Sequence, residues 1–210
     1  MANMTTIMIG IKPASFSRCE IAHMKVSREQ MAENRRRILD AAGRLFRDRG
    51  FEAVTVAEVM RDAGLTHGGF YGHFRSKDDL IAAALAELVV ASEPGPLALR
   101  AFATRYLSPS HRDNPAGGCP VAALASDTIR QAPEARAAMT EGLRRQIARL
   151  ADGAAAAEAK GARQTAIGSW AAMVGAMILA RMSDDPVLSD EILAQTRAWI
   201  EQASPAEPAQ

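Results

Sequence analysis

Cysteine is scarce in this chain: Cys19 and Cys119 are its only two copies among 210 residues, and they lie far apart. Two such thiols form no disulfide framework and lack the close spacing of metal ligands. We therefore expect no bound metal and no cofactor. Scarce cysteine is typical of proteins of the reducing cytosol.

A run of 18 residues without a charged side chain is also missing. The most apolar windows are interrupted by charged residues well before the 18 residues that suggest a membrane span, so we expect no transmembrane helix. The apolar run at residues 7–11 is too short for a signal-peptide core and is followed by Lys12 and Pro13. The sequence thus predicts a cytoplasmic protein without a membrane partner.

Net charge is close to zero, at +1, but it is unevenly distributed. Residues 25–77 contain 11 Lys or Arg against 7 Asp or Glu, a net of +4, whereas residues 78–210 contain 12 against 16, a net of −4. A basic segment of this kind is the footprint of a phosphate-binding surface. The acidic remainder argues against a second nucleic-acid site.

Residues 55–80, TVAEVMRDAGLTHGGFYGHFRSKDDL, contain the signals of two short helices joined by a tight turn. Thr55 and Glu58 have the spacing of a capping box that opens the first helix. Gly64 ends that helix, because glycine readily adopts the left-handed backbone of a helix terminus. Thr66 caps a second helix from 67 to about 74. This pattern predicts a helix-turn-helix, whose second helix enters the major groove of DNA.

The second helix presents two faces. Phe70 and Phe74, one turn apart, are expected to face inward, and Ser76 with Asp79 forms a second capping box that starts another helix at Lys77. Tyr71 and Lys77 are predicted phosphate anchors. The full set of candidate DNA-binding residues is Thr55, Thr66, His67, Gly68, Gly69, Tyr71, His73 and Lys77.

The run AGLTHGGFYGHFRSKDDL resembles the recognition segment of the TetR/AcrR family of bacterial transcriptional regulators. The residues that carry the resemblance are Gly64, Phe70, Tyr71, His73, Phe74 and Lys77. The resemblance implies an all-α fold, in which an N-terminal three-helix DNA-binding domain with a helix-turn-helix joins a larger helical ligand-binding and dimerisation domain. It implies a repressor that binds a palindromic operator as a homodimer and is released by a small molecule. Gly69 departs from the Thr, Ser or Ala that is common in the family.

We divide the chain into a disordered extension at 1–24, a DNA-binding domain at 25–76, an effector-binding and dimerisation domain at 77–203, and a disordered tail at 204–210. Ser27 or a neighbour is expected to cap the first helix, and Met24 could be the translation start. The Pro- and Gly-rich loop 111–120 is expected to lack regular structure. Further helices are expected at 77–91, 97–107, 121–131, 134–152, 162–182 and 187–203.

Two sets of residues in the larger domain are candidates for function. The last two helices carry apolar stripes that either close an internal core or pair with a second copy; the candidate dimerisation residues are Trp170, Val174, Met177, Ile192 and Trp199. The other set either lines an effector pocket for a small, mostly apolar ligand or is plain core. Its members are Phe102, Tyr106, Cys119, Met139, Leu143, Trp170, Met173 and Met177.

Cys119 lies in the sequence GGCP at the expected start of a helix, a position that favours thiol reactivity. It is either a sensor of electrophiles or oxidants or a small buried residue. An all-α enzyme with Cys119 as nucleophile is a further alternative, but His111 is its only nearby histidine and forms no recognisable dyad with it. We therefore expect no enzyme. An activator, or an architectural DNA binder without an effector, remains a third possibility.

Overall fold

The structure, a computed structural model, describes residues 18–90, 95–154 and 161–203. Within these ranges the chain is helical and contains no strand, which confirms the predicted all-α fold. The elements are α1 (Arg18–Arg49), α2 (Val56–Asp62), a 3-10 helix (His67–Gly72), α3 (Lys77–Val90), α4 (Leu99–Tyr106), α5 (Pro109–Arg112), α6 (Pro120–Thr128), α7 (Pro133–Ala154), α8 (Ala162–Met182) and α9 (Pro186–Ala203).

The first helix starts earlier than predicted. Ser27 lies inside α1, which begins at Arg18, so the predicted cap at Ser27 is wrong, as is disorder for residues 18–24. Residues 1–17, the predicted tail at 204–210 and most of the connection at 153–161 lie outside the described residues. A second correction concerns the loop 111–120, whose first two residues belong to α5; Ser108 caps this short helix by accepting a bond from the His111 N–H at 3.3 Å.

The first core is enclosed by α1, α2, the 3-10 helix and α3. Ile38, Phe46, Phe51, Phe70 and Leu80 are at most 1% exposed, and the rings of Phe46 and Phe51 meet edge to face at 5.2 Å. Fully burying one such side chain contributes about 1.5–3 kcal/mol. These contacts fix the position of the 3-10 helix on α1 and α2.

The turn between α2 and the 3-10 helix has the hydrogen bonds of a Schellman motif. Gly64 has φ +68°, its N–H donates to the Arg61 carbonyl at 3.0 Å, and the Leu65 N–H donates to the Met60 carbonyl at 2.8 Å. This left-handed residue closes α2, as the sequence predicts. Arg37 of α1 donates to the Ala63 carbonyl and holds the same end of α2.

The second core lies among α4, α7, α8 and α9. Met173, Met177 and Ile200 are fully buried there, and Trp170 is 6% exposed. Among the described helices, α8 alone is long and apolar enough to cross a membrane by length and composition. The expectation that charged residues interrupt every apolar window well before 18 residues was therefore wrong for this helix. A core helix has the same properties, and α8 buries one face in this core.

The two cores share structural elements. Helix α3 leaves the first core and packs along α7, and Leu124 of α6 and Met139 of α7 are buried in the first core. The DNA-binding unit is therefore completed by side chains from the larger domain.

Candidate nucleic-acid interface and ligand cavity

The 3-10 helix has the two faces that the sequence predicts. Phe70 and Phe74 are buried, with ring centres 5.7 Å apart, whereas Tyr71 is 72% exposed and His67 is also exposed. The helix ends at Gly72 rather than near Phe74. It is a 3-10 rather than an α-helix, which agrees with the low helix propensity of its three glycines.

Two of these glycines have no explanation within the chain. Gly68 and Gly72 do not have positive φ, and a Cβ added at either would meet nothing within 4 Å. Neither backbone conformation nor packing of the described residues therefore demands a glycine here. What the missing side chains provide is a bare backbone on an exposed surface, which permits close approach of a partner.

The predicted capping box of α2 is present. The Thr55 hydroxyl accepts from the Glu58 N–H at 3.2 Å, and the Glu58 carboxylate accepts from the Thr55 N–H at 2.9 Å. Bonds from the Thr55 N–H and hydroxyl, and then from Arg49, lower the pKa of Glu58 to about 2. Thr55 thus secures the first turn of α2, whereas Thr66 makes no side-chain capping bond.

The second predicted capping box is only half formed. Ser76 accepts from the Asp79 N–H at 3.1 Å, but the Asp79 carboxylate accepts from the Arg75 N–H at 3.0 Å instead of returning to Ser76. Helix α3 still begins at Lys77, as predicted. Arg75, which the sequence analysis did not select, is 92% exposed at this junction, beside the half-buried Lys77.

Several arginines of α1 are occupied within the protein. Arg35 donates to the His73 carbonyl at 3.2 Å and lies 4.4 Å from the centre of the Phe74 ring. Arg44 pairs with Asp62 at 2.7 Å, so it ties α1 to α2. These two arginines of α1 therefore help to position the helix-turn-helix.

A cavity of about 970 Å³ lies between α1, α4, α6, α7 and α8. Four predicted effector residues line it: Phe102, Tyr106, Cys119 and Trp170. The other four do not, and their assignment is corrected: Met139 is buried in the first core, while Leu143, Met173 and Met177 belong to the second.

Three aromatic residues form one wall of this cavity. The ring centres of Tyr106 and Trp170 are 5.3 Å apart in an edge-to-face arrangement, and Phe102 lies 5.6 Å from Tyr106 and 6.1 Å from Trp170. Such a cluster offers flat apolar surfaces to a ligand.

The rest of the lining is more polar than expected. It includes Arg47, Arg105, Gln146 and Arg149, which come from α1, α4 and α7. The prediction of a mostly apolar ligand is therefore not supported by these walls. Helical periodicity did not reveal them, since the polar side chains come from elements far apart in sequence.

His111 holds the start of α6 next to the cavity. Its Nδ1 donates to the Tyr106 carbonyl at 2.7 Å, and its Nε2 accepts from the Cys119 backbone N–H at 3.0 Å. Burial lowers the pKa of His111, which favours this neutral form. Both ring nitrogens are occupied by backbone groups, so His111 forms no Cys–His dyad with the Cys119 thiol.

The outer faces of α8 and α9 carry an apolar strip, defined by Ile167, Ile178, Leu179, Met182, Val187, Leu188 and Trp199, each 41–76% exposed. Trp199 was a predicted dimerisation residue, and Val174 and Ile192 are half-buried. Trp170 and Met177 were predicted for the same contact, but they face the second core. Their assignment to a dimer contact is therefore wrong.

Comparison with known proteins identifies the family. Two family models match the chain: one described as bacterial regulatory proteins, tetR family, at residues 38–84, and one described as tetracyclin repressor-like, C-terminal domain, at residues 95–196. The chain belongs to the TetR family. The first match contains the helix-turn-helix, and the second contains most of the cavity and the apolar strip.

The curated relatives match this TetR-family chain in one segment only. The HTH-type transcriptional repressor Rv1474c of Mycobacterium tuberculosis is 40% identical over 63 residues, which cover 30% of this chain and 34% of that protein. The HTH-type transcriptional regulator AcrR of Shigella flexneri is 38% identical over 56 residues, 27% of this chain and 26% of that protein. The matches thus span about a third or less of these relatives.

Solved structures share the fold along most of the TetR-family chain. The reduced form of Escherichia coli NemR superposes with a TM-score of 0.64 at 24% identity, covering 83% of this chain and 99% of that one. A TetR-family regulator from Agrobacterium tumefaciens gives a TM-score of 0.67 at 22% identity, covering 83% and 100%. At these identities the likeness establishes the fold.

Proposed function

We propose that this protein is a ligand-responsive transcriptional regulator, a repressor that binds a roughly palindromic operator as a homodimer and releases it when a small molecule enters the cavity. The observation that carries the proposal is the exposed 3-10 helix, whose buried Phe70 and Phe74 fix it on a rigid core. It acts in the cytoplasm and not as an enzyme. Residues 25–76 form the DNA-binding unit, and residues 77–203 form the effector-binding and dimerisation unit.

The polar residues of the helix-turn-helix, of which His73 and Lys77 are half-buried, divide by chemistry. His67 and His73 offer ring nitrogens to base edges, which is where sequence is read. Tyr71, Lys77 and the newly recognised Arg75 contact phosphates, which position the protein on any duplex. The bare backbone at Gly68 and Gly72 lets this surface approach the groove closely.

A second copy of the chain covers the apolar strip. Exposed leucine, isoleucine and tryptophan on two adjacent helices are costly in water, and contiguous patches of this kind mark protein interfaces. Pairing α8 and α9 with their copies gives a four-helix contact with two-fold symmetry. The two helix-turn-helix units then face one side of a duplex, with half-sites about 34 Å or a multiple of it apart.

Binding in the cavity reaches the DNA-binding unit through α1. Arg47 lines the cavity, and Phe46, the residue before it, is buried in the first core. A ligand that draws Arg47 inward therefore moves a helix on which the helix-turn-helix is packed. That movement changes the separation of the two recognition elements, and the operator is released.

The decisive experiment selects bound fragments from genomic DNA with purified protein and measures its mass by sedimentation. We expect fragments that share an inverted repeat, bound by two copies of the chain per repeat. A monomeric protein that ignores duplexes even in dilute salt would overturn the proposal. A selected site without two-fold symmetry would remove the homodimeric part of it.

A second candidate is a repressor that senses electrophiles through Cys119. The thiol is free, partly exposed and on the cavity wall beside the buried Tyr106 hydroxyl. An α,β-unsaturated carbonyl would add to it by forming an S–C bond, with the thiol proton finally on the α-carbon. If N-ethylmaleimide releases DNA from the wild type but not from Cys119→Ser, the thiol is the sensor; equal release from both proteins contradicts it.

A further inference from the structure

We infer that the cavity binds an organic anion, a molecule with a flat apolar body and a carboxylate or comparable acidic group. The regulatory meaning of this inference rests on the proposed function, but the binding itself does not. Three features of the cavity support it: its unpaired hydrogen-bond donors, its charge and its aromatic wall.

Four buried polar atoms around the cavity make no hydrogen bond of normal geometry with any described residue. They are Arg47 Nε, Tyr106 Oη, Gln146 Nε2 and Trp170 Nε1. Three of the four are pure donors, and the Tyr106 hydroxyl can donate as well. A buried donor without a partner destabilises the protein, because it has lost its hydrogen bonds to water and gained none in return. A ligand rich in acceptors would satisfy several of these groups at once.

The charge of the lining has one sign. Arg47, Arg105 and Arg149 all line the cavity, and among the described lining residues there is no Asp or Glu. Arg105 lies 5.6 Å from the Phe102 ring centre, and Arg149 donates to the Gly95 carbonyl at 2.9 Å. Arg47 forms no ion pair with a carboxylate in the described chain, and burial lowers its pKa. It is the cation best placed to gain from an anion.

The donors lie next to the flat surfaces. Tyr106 and Trp170 each supply one of the four polar atoms and one ring of the aromatic wall. The acidic group of a bound ligand would therefore lie next to its planar body. A carboxylate presents about four acceptor positions to such donors. The matching neutral amide presents one oxygen and adds two donors, and the matching amine adds only donors and a repelled positive charge. The acid is therefore preferred over both.

The test uses matched probes on purified protein without DNA. Calorimetric titration compares 2-naphthoate, 2-naphthamide and 2-naphthylmethylamine, together with matched triplets on indole and biphenyl bodies. We expect at least one acid to bind at least tenfold more tightly than its amide and its amine. Arg47→Met should lower that acid's affinity to the level of the amide, whereas Arg163→Met, an exposed arginine of α8 away from the cavity, should leave it unchanged.

A milder variant guards against an unfolded Arg47→Met protein. Tyr106→Phe removes only the hydroxyl, which lies beside the Cys119 thiol, and should weaken binding of the acid about tenfold or more, because a hydrogen bond to a charged group is stronger than one between neutral groups. The inference is overturned if no acid exceeds its amide in any triplet, or if neither variant changes the preference. Operator binding is measured separately: its loss alone would contradict the proposed function, and a missing acid preference alone would contradict only this inference.

Discussion

The carboxylate of Asp127 accepts a hydrogen bond from the backbone N–H of Phe51 at 3.4 Å. This contact joins the last turn of α6 to the turn that follows α1. Gly50, the residue before Phe51, has φ +79°, and a Cβ there would lie 2.7 Å from the Asp127 carboxylate. Since α6 begins next to Cys119 at the cavity, it connects the cavity with the base of the DNA-binding unit.

Gly50→Ala should destabilise the protein for two separable reasons. The left-handed backbone costs a residue with Cβ about 1–2 kcal/mol, and the new methyl group also displaces the Asp127 carboxylate. In an Asp127→Ala background only the first cost remains, so Gly50→Ala should be less destabilising there. A double-mutant cycle by urea unfolding measures the difference. Equal costs in both backgrounds would show that the carboxylate does not occupy this position.

Gly68→Ala and Gly72→Ala should separate stability from DNA binding. A Cβ at either position meets no neighbour, so the lower entropy of the unfolded chain should raise the free energy of unfolding by about 0.4–1 kcal/mol. The same methyl group should weaken operator binding, because it stands between backbone and duplex. Urea unfolding and fluorescence titration of the operator measure the two effects. Unchanged affinity in both variants would argue against close approach of the backbone.

Lys77→Ala should weaken binding to all duplexes alike. A lysine that contacts one phosphate releases about 0.9 counterions when it binds, so its removal should lower the salt slope by about that amount. Arg163→Ala, on an exposed position of α8, serves as the control. The slope of log K against log salt concentration is negative, and it should become less steep for Lys77→Ala only. An unaltered slope would remove Lys77 from the phosphate contacts.

Trp199→Glu should produce a monomer. It places a charge within the apolar strip, and an unpaired charge buried in an interface costs several kcal/mol. Ile129→Glu is a matched control, because Ile129 is 72% exposed but follows α6, outside the strip. Analytical ultracentrifugation should show a dimer for wild type and for Ile129→Glu. A dimeric Trp199→Glu protein would move the contact elsewhere.

Stability should fall in mild acid because of His111. Burial lowers its pKa below the ordinary value of 6.5, so the unfolded chain binds this proton more readily than the folded chain. Unfolding is therefore favoured as the pH falls below about 6.5. The protonated ring would also lose the bond from the Cys119 N–H. Melting temperatures from pH 8 to pH 5 should drop less for His111→Asn; parallel curves would contradict this role.

The features that the sequence predicts correctly depend on residues close together in the chain. The capping box at Thr55 and Glu58 and the glycine at Gly64 involve residues at most a few positions apart, so their spacing indicates their geometry. The bounds of α8 were predicted at both ends, because glycine precedes it and charged or polar residues follow.

What the sequence does not predict depends on distant partners. Helix α8 is apolar nearly all round, so its pattern could not tell that Trp170 faces the second core while Ile178 is exposed. Arg47 lies in the same kind of local sequence as Arg35 and Arg44 of α1, but of these three arginines it alone lines the cavity. Only the packing of α6 against α1 distinguishes them.

The burial of Leu124 and Met139 beneath the helix-turn-helix limits how this protein can be recombined. A fragment that ends after α3 would expose an apolar cavity where these two side chains pack in the whole protein. We expect such a fragment to aggregate. A chimera that joins this DNA-binding unit to the effector domain of another protein therefore needs equivalent apolar side chains from that domain. Otherwise it must also include α6 and the start of α7 of this chain.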